Sequence, residues 1–161
     1  MNFIEEIGNM LKQIGSKIST AESCTAGYVS NTLTSIQGSS DFFEGSLIVY
    51  SNKAKINVLG VESSLIDEHT EVSEQVAKRM AKRVKEVMNT DYSIATTGYA
   101  DVKGFGTEEN PPGTIYIAVS TPDKTITKKL QLKDSRSRNV YLATNEALEI
   151  LREHLRSLQV V

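Results

Sequence analysis

Residues 38–55, GSSDFFEGSLIVYSNKAK, place a Gly-Ser-Ser turn, a tyrosine phenol (Tyr50) and a lysine ammonium (Lys55) within one short stretch. A serine hydroxyl activated by a lysine is an alternative to histidine-based activation and serves acyl transfer. Ser39 or Ser40 with Lys55 fits that chemistry if the turn and the helix after it meet in space. The same residues also read as a surface turn, a half-exposed tyrosine and a solvated lysine.

A second stretch, AESCTAG at residues 21–27, runs from a strand into a helix through small hydroxyl residues. Ser23 or Thr25 can cap that helix. The unpaired N–H groups at such a helix start also attract phosphate or carboxylate. Cys24 is the single cysteine, and as a nucleophile it would need a lowered pKa, which a helix start can supply. Arg136 and Arg138 fall in the first turn of the last helix, where cations oppose the helix dipole and can help hold an anion. His69 and His154 are far apart and lack ligand spacing, so no metal site is expected. Neither Rossmann nor Walker glycine patterns occur.

The elements that must position these groups follow from apolar spacing. Phe3, Ile4, Ile7, Leu11 and Ile14 recur at helical intervals, closed by Gly15. A short strand is expected over Lys17 to Ala21, then a helix carrying Tyr28, Val29, Leu33 and Ile36. Phe43 to Tyr50 reads as a mostly buried strand, and Asn52 to Leu59 as a short helix with Ser51 as its cap and Lys55 near its start. Residues 61–72 read as a connector with a helical turn at Leu65 and Ile66. Ser73 opens a helix striped by Val76, Met80, Val84 and Val87, with a basic opposite face that reads as solvated. Asp91 to Thr97 and Thr114 to Ser120 read as strands, and Thr125 to Leu132 as a hairpin partner. Between them Tyr99 to Gly113 forms a loop long enough to suggest function. Asp134 or Ser135 caps the last helix. This order predicts a three-layer α/β/α sandwich with a mixed, mostly parallel sheet.

Length and composition set the outer bounds. The chain has 161 residues, which fits one domain over 1–161. Its formal net charge is −2, so no global positive field is present to hold nucleic acid or anionic lipid. No run of ~18 apolar residues suggests a membrane span. A single cysteine and the polar residues scattered through the N-terminal stretch point to a cytoplasmic protein.

AESCTAG, then GSSDFFEGSLIVYSNKAK, then LGV and VSEQVAKRM resemble the CinA C-terminal domain family, from about Met10 to the last helix. The resemblance is to the stand-alone form, without the additional N-terminal domain of larger CinA proteins. It implies a nicotinamide-nucleotide amidase that converts nicotinamide mononucleotide to nicotinic acid mononucleotide and ammonia. It implies no metal or organic cofactor, a small-molecule nucleotide as partner, and a homodimer. Carried over onto this sequence, it implies Ser40 as nucleophile, Lys55 as base and Tyr50 as relay. Ser23, Thr25, Gly27, Asn52, Thr97, Gly98 and Arg136 then fall on the substrate-binding surface. Three departures from the family pattern bear on binding: Ala26 in AESCTAG, Asp101 and Val102 in TGYADV, and Val140 where a second arginine is expected. They leave open an alternative, a divergent member that binds a nucleotide or a protein without turnover.

Overall fold

The computed structural model describes residues 2–159. Its five strands are β1 (Ile18–Glu22), β2 (Phe43–Ile48), β3 (Tyr92–Gly98), β4 (Thr114–Ser120) and β5 (Thr125–Gln131). They form one sheet in the order β2-β1-β3-β4-β5. β1 pairs in parallel with β2 and with β3, whereas β4 runs antiparallel to both its neighbours. Four strands therefore share one direction and β4 alone opposes them.

The helices cover both faces. On one face lie α1 (Phe3–Gln13), α2 (Tyr28–Leu33) and α6 (Arg136–Ser157), packed over Ile18, Ile94, Ile115, Ile117 and Val119. On the other lie a short α3 (Asn52–Ala54) running into a π-turn at Lys55–Leu59, then α4 (Ser63–His69) and α5 (Glu74–Met88), packed over Ala21, Ala95, Tyr116 and Ala118. The period-2 alternation of β4 divides its side chains between these two cores. β1 is buried at every position because it has a strand on each side and helices above and below. The three-layer α/β/α architecture is thus the one the alternating pattern predicts.

Local chemistry sets the helix starts. Asn2 accepts from the Ile4 N–H, and Glu5 reciprocates to the Asn2 N–H, forming a capping box. Ser73 accepts from the Val76 N–H, and Ser135 from the Arg138 N–H. The expected connector at 61–72 holds a helix, α4, that buries Ile66. Its lack of a side-chain cap and its short apolar stripe left little periodic signal.

The connections matter most for function. From β1 the chain passes through α2 to β2 on one side, then through α3–α5 to β3 on the other side of β1. In open α/β sheets, ligands bind where the chain departs in opposite directions, outside the carboxyl ends of the strands. Here those ends are Glu22, Ile48 and Gly98.

Candidate active site

The segment after β1 is fixed by a buried carboxylate. Glu22 is fully buried, and its Oε1 accepts from the N–H groups of Gly27 (3.1 Å) and Val29 (2.9 Å) and from Thr25 Oγ1 (2.7 Å). Its Oε2 accepts from the Ser30 N–H at 3.0 Å and from Thr20 Oγ1 at 3.1 Å. Three orphan N–H groups at the start of α2 are thereby satisfied, and the negative charge sits at the positive end of the helix dipole. The chain enters α2 through two successive left-handed residues, Ala26 (φ 45°) and Gly27 (φ 97°). The Ser23 N–H donates to the Thr96 carbonyl at 3.1 Å, which ties the turn to β3. Ser23 is thus held at the carboxyl edge of the sheet.

Lys55 comes to the same point from the end of β2. Ser51 caps α3 through the Ala54 N–H (3.0 Å), and the π-turn that follows directs Lys55 inward. The Lys55 side chain is 1% exposed, and its Nζ lies 2.8 Å from Ser23 Oγ. The Tyr50 carbonyl accepts from both groups, at 3.2 Å from each. Burial lowers the Lys55 pKa; an ionised Cys24 and the Glu71 carboxylate would oppose that shift. Cys24 is itself pushed up to about 12, chiefly by burial, so its thiol is neutral at physiological pH and only Glu71 counters the loss of charge. A lysine in such surroundings deprotonates more readily than one in water. Neutral Lys55 can accept the Ser23 proton, the arrangement that serine activation by a lysine requires.

One cavity opens onto the pair, and a second adjoins it. The first, of about 510 Å³, is lined by Ser23, Lys55, Asn52, Glu71 and Thr97 among others. The second, of about 430 Å³, is lined by Asp101, Lys103, Gly104 and Arg136, and shares Cys24, Tyr50, Gly98, Tyr99 and Phe105 with the first. Phe105 is 89% exposed at the tip of the 99–113 loop. Arg136 donates from Nη1 to Asp101 Oδ2 at 2.7 Å and from Nη2 to the Tyr50 phenol oxygen at 2.8 Å. Deeper in, Asn139 is fully buried and donates to the carbonyls of Ala100 (2.8 Å) and Asp134 (2.9 Å), clamping the 99–101 segment to the first turn of α6. Among the described residues no cluster of three His, Cys, Asp or Glu residues is arranged to hold a metal ion.

The CinA C-terminal domain family model matches residues 2–155. The chain belongs to the CinA C-terminal domain family. A CinA-like protein of Cytophaga hutchinsonii is 37% identical over 153 residues, which is 95% of this chain and 36% of that protein. A CinA-like protein of Flavobacterium psychrophilum is 40% identical over 90% of this chain and 34% of its own length. The chain therefore spans about a third of these curated relatives. Among solved structures, the competence damage-inducible protein A of Klebsiella pneumoniae superposes with a TM-score of 0.91 at 30% identity, covering 96% of this chain and 95% of that one. A competence/damage inducible protein of Agrobacterium tumefaciens gives 0.86 at 30% identity, with 97% of each chain covered.

In this CinA domain the residues singled out from sequence separate into three groups. Ser23, Tyr50, Asn52, Lys55, Thr97, Gly98 and Arg136 line the two cavities. Thr25 and Gly27 instead bind Glu22 and support the site from behind. Ser40 lies elsewhere, and this corrects the expected pairing of Ser40 with Lys55. Ser40 sits in a 3-10 turn (Ser39–Asp41) that enters β2, with its carbonyl bound by Lys17 Nζ at the opposite edge of the sheet. The strand between Ser40 and Lys55 has six residues, or about 20 Å of extended chain, so the two side chains cannot meet.

Three further expectations need correction. Neither Ser23 nor Thr25 caps α2, whose start has no side-chain cap from its Gly27 N-cap residue. Nor is that start open to a phosphate, because the Glu22 carboxylate takes the Gly27, Val29 and Ser30 N–H groups. The Tyr50 phenol does not bridge Ser23 and Lys55; it is turned toward Arg136, and the Tyr50 main-chain carbonyl touches the pair instead. Arg138 stacks on Tyr141 (4.8 Å), and Val140 packs against the α1/α2/α6 core. Sequence reasoning missed Glu22 and Asn139. An acid immediately before a run of hydroxyl residues at a helix start was a usable signal for Glu22. Asn139, a polar residue in the first turn of α6, offered none.

Proposed function

We propose that this protein hydrolyses a carboxamide, with Ser23 as nucleophile and Lys55 as general base, and that the amide is that of nicotinamide mononucleotide. The observation that carries this reading is the 2.8 Å contact between Ser23 Oγ and a buried Lys55 Nζ at a cavity wall. Ser23 Oγ attacks the amide carbonyl while neutral Lys55 takes its proton. The Tyr50 carbonyl, within reach of both groups, orients them. The developing oxyanion is assigned to main-chain N–H groups of the turn that follows Ser23. Collapse of the tetrahedral adduct breaks the C–N bond, and Lys55 returns the proton to the leaving ammonia. Water, deprotonated by the now neutral Lys55, attacks the acyl-serine ester and releases the carboxylic acid and Ser23.

The aromatic walls Tyr50, Tyr99 and Phe105 suit a planar ring beside the reacting carbon. Family membership supports the choice of a nucleotide amide. Purified protein incubated with nicotinamide mononucleotide is expected to release equal amounts of ammonia and nicotinic acid mononucleotide. The rate should rise with pH and level off above the lowered Lys55 pKa. Absence of both products across pH 6–10 would overturn the reading.

A further inference from the structure

We infer that Asp101 acts as a charge filter at the mouth of the site: its carboxylate occupies the guanidinium that a substrate phosphate would otherwise engage, setting discrimination between a nucleotide and its dephosphorylated nucleoside. This inference rests on the reading that the amide substrate binds in the Ser23 cleft. Arg136 and Lys103 are the cationic side chains of the outer cavity. Tight recognition of a phosphate by arginine uses two parallel N–H donors from one guanidinium. Both terminal nitrogens of Arg136 already donate within the protein, one to Asp101 at 2.7 Å and the other to the Tyr50 phenol oxygen at 2.8 Å.

The pairing is built in by the fold. Asn139, fully buried, holds the Ala100 carbonyl at 2.8 Å and the Asp134 carbonyl at 2.9 Å. Residue 101 is therefore set opposite the first turn of α6, where Arg136 projects. The pair is also soft: the Arg136 and Asp101 side chains are 47% and 58% exposed. Such a pair is weak enough for a dianion to displace. The incoming phosphate must, however, approach a carboxylate of its own sign that stays anchored beside it. An uncharged hydroxymethyl end meets no such opposition. Asp101 thus lowers affinity for phosphorylated amides selectively and leaves the Ser23–Lys55 chemistry untouched.

Calorimetric titration of nicotinamide mononucleotide and nicotinamide riboside tests this, in a Ser23→Ala background to prevent turnover. Asp101→Asn is expected to tighten the nucleotide about two- to fivefold, the range open to one rim charge, and to leave the riboside no tighter. In an added Arg136→Gln background the gain should vanish. An unchanged or weaker nucleotide affinity in Asp101→Asn, equal tightening of both ligands, or no binding of either ligand by any variant would overturn the inference. Ammonia release, followed separately with Ser23 intact, keeps the two proposals apart. A selective affinity gain without ammonia release leaves the charge filter standing and removes the amidase. Ammonia release with no selective gain does the reverse.

Discussion

Lys55 illustrates how burial becomes chemistry at the scale of one residue. Its ammonium is removed from water and, among the described residues, contacts Ser23 Oγ and the Tyr50 carbonyl rather than a carboxylate. Burial lowers its pKa in the folded protein below the ordinary lysine value near 10.4. Between those two values the unfolded chain binds more protons than the folded one, so stability rises with pH through that window. Below the folded pKa the cost of the buried charge is fully present; toward pH 10 it is relieved. Lys55→Met keeps the volume and removes the charge, so it should melt a few degrees above the wild type at pH 7, on the order of 1–2 kcal/mol. That advantage should shrink as pH approaches 10, while amide hydrolysis is lost throughout. A stability gap that does not change with pH would show that Lys55 titrates normally. The same reasoning removes Cys24 as a rival nucleophile, since its thiol is pushed up to about 12 by burial.

At the scale of elements, the turn from β1 into α2 is where local strain and function meet. Glu22 binds three helix-start N–H groups, and the chain passes through Ala26 and Gly27 with positive φ to make that possible. A Cβ in the left-handed region costs roughly 1–2 kcal/mol, partly offset by the greater unfolded-chain entropy of glycine. Ala26→Gly should therefore raise stability by about 0.5–1 kcal/mol, read as a shifted denaturant midpoint at constant slope. A destabilised Ala26→Gly protein would mean that the alanine methyl makes contacts that outweigh its strain. The same turn explains which part of the site could be read in advance. Tyr50 and Lys55 were legible because they follow a clear strand. Ser23 was legible as a residue of interest, yet not as the partner of Lys55. The missing step was topological. Residues 21–27 and 50–55 both leave the carboxyl ends of strands, whereas 38–41 enters a strand; parallel pairing of β1 with β2 puts the first two at one edge and the third at the other. Spacing along the chain cannot supply that step, because parallel strands bring together residues 32 positions apart as readily as near neighbours.

Over the whole molecule, the strand–helix alternation made the three layers legible, since each element carries its own periodic signal. The strand order was not legible: nothing in the apolar pattern says that β2 lies outside β1 at the sheet edge. The outer wall of the site was visible only as a loop too long to be idle. Its anchors, Asn139 to Ala100 and Asn110 to the Val72 carbonyl, come from elements distant in sequence. The sheet, its two helical layers and these clamps bring Ser23, Lys55 and both cavities to the shared carboxyl edge of β1, β2 and β3, where the proposed acyl chemistry is placed. The most direct test compares ammonia release from nicotinamide mononucleotide by Ser23→Ala and Ser40→Ala, each shown to melt as the wild type does. Ser23→Ala is expected to lose roughly 10³-fold or more in kcat while Ser40→Ala keeps the wild-type rate. Loss of activity in Ser40→Ala with Ser23→Ala still active would contradict the account.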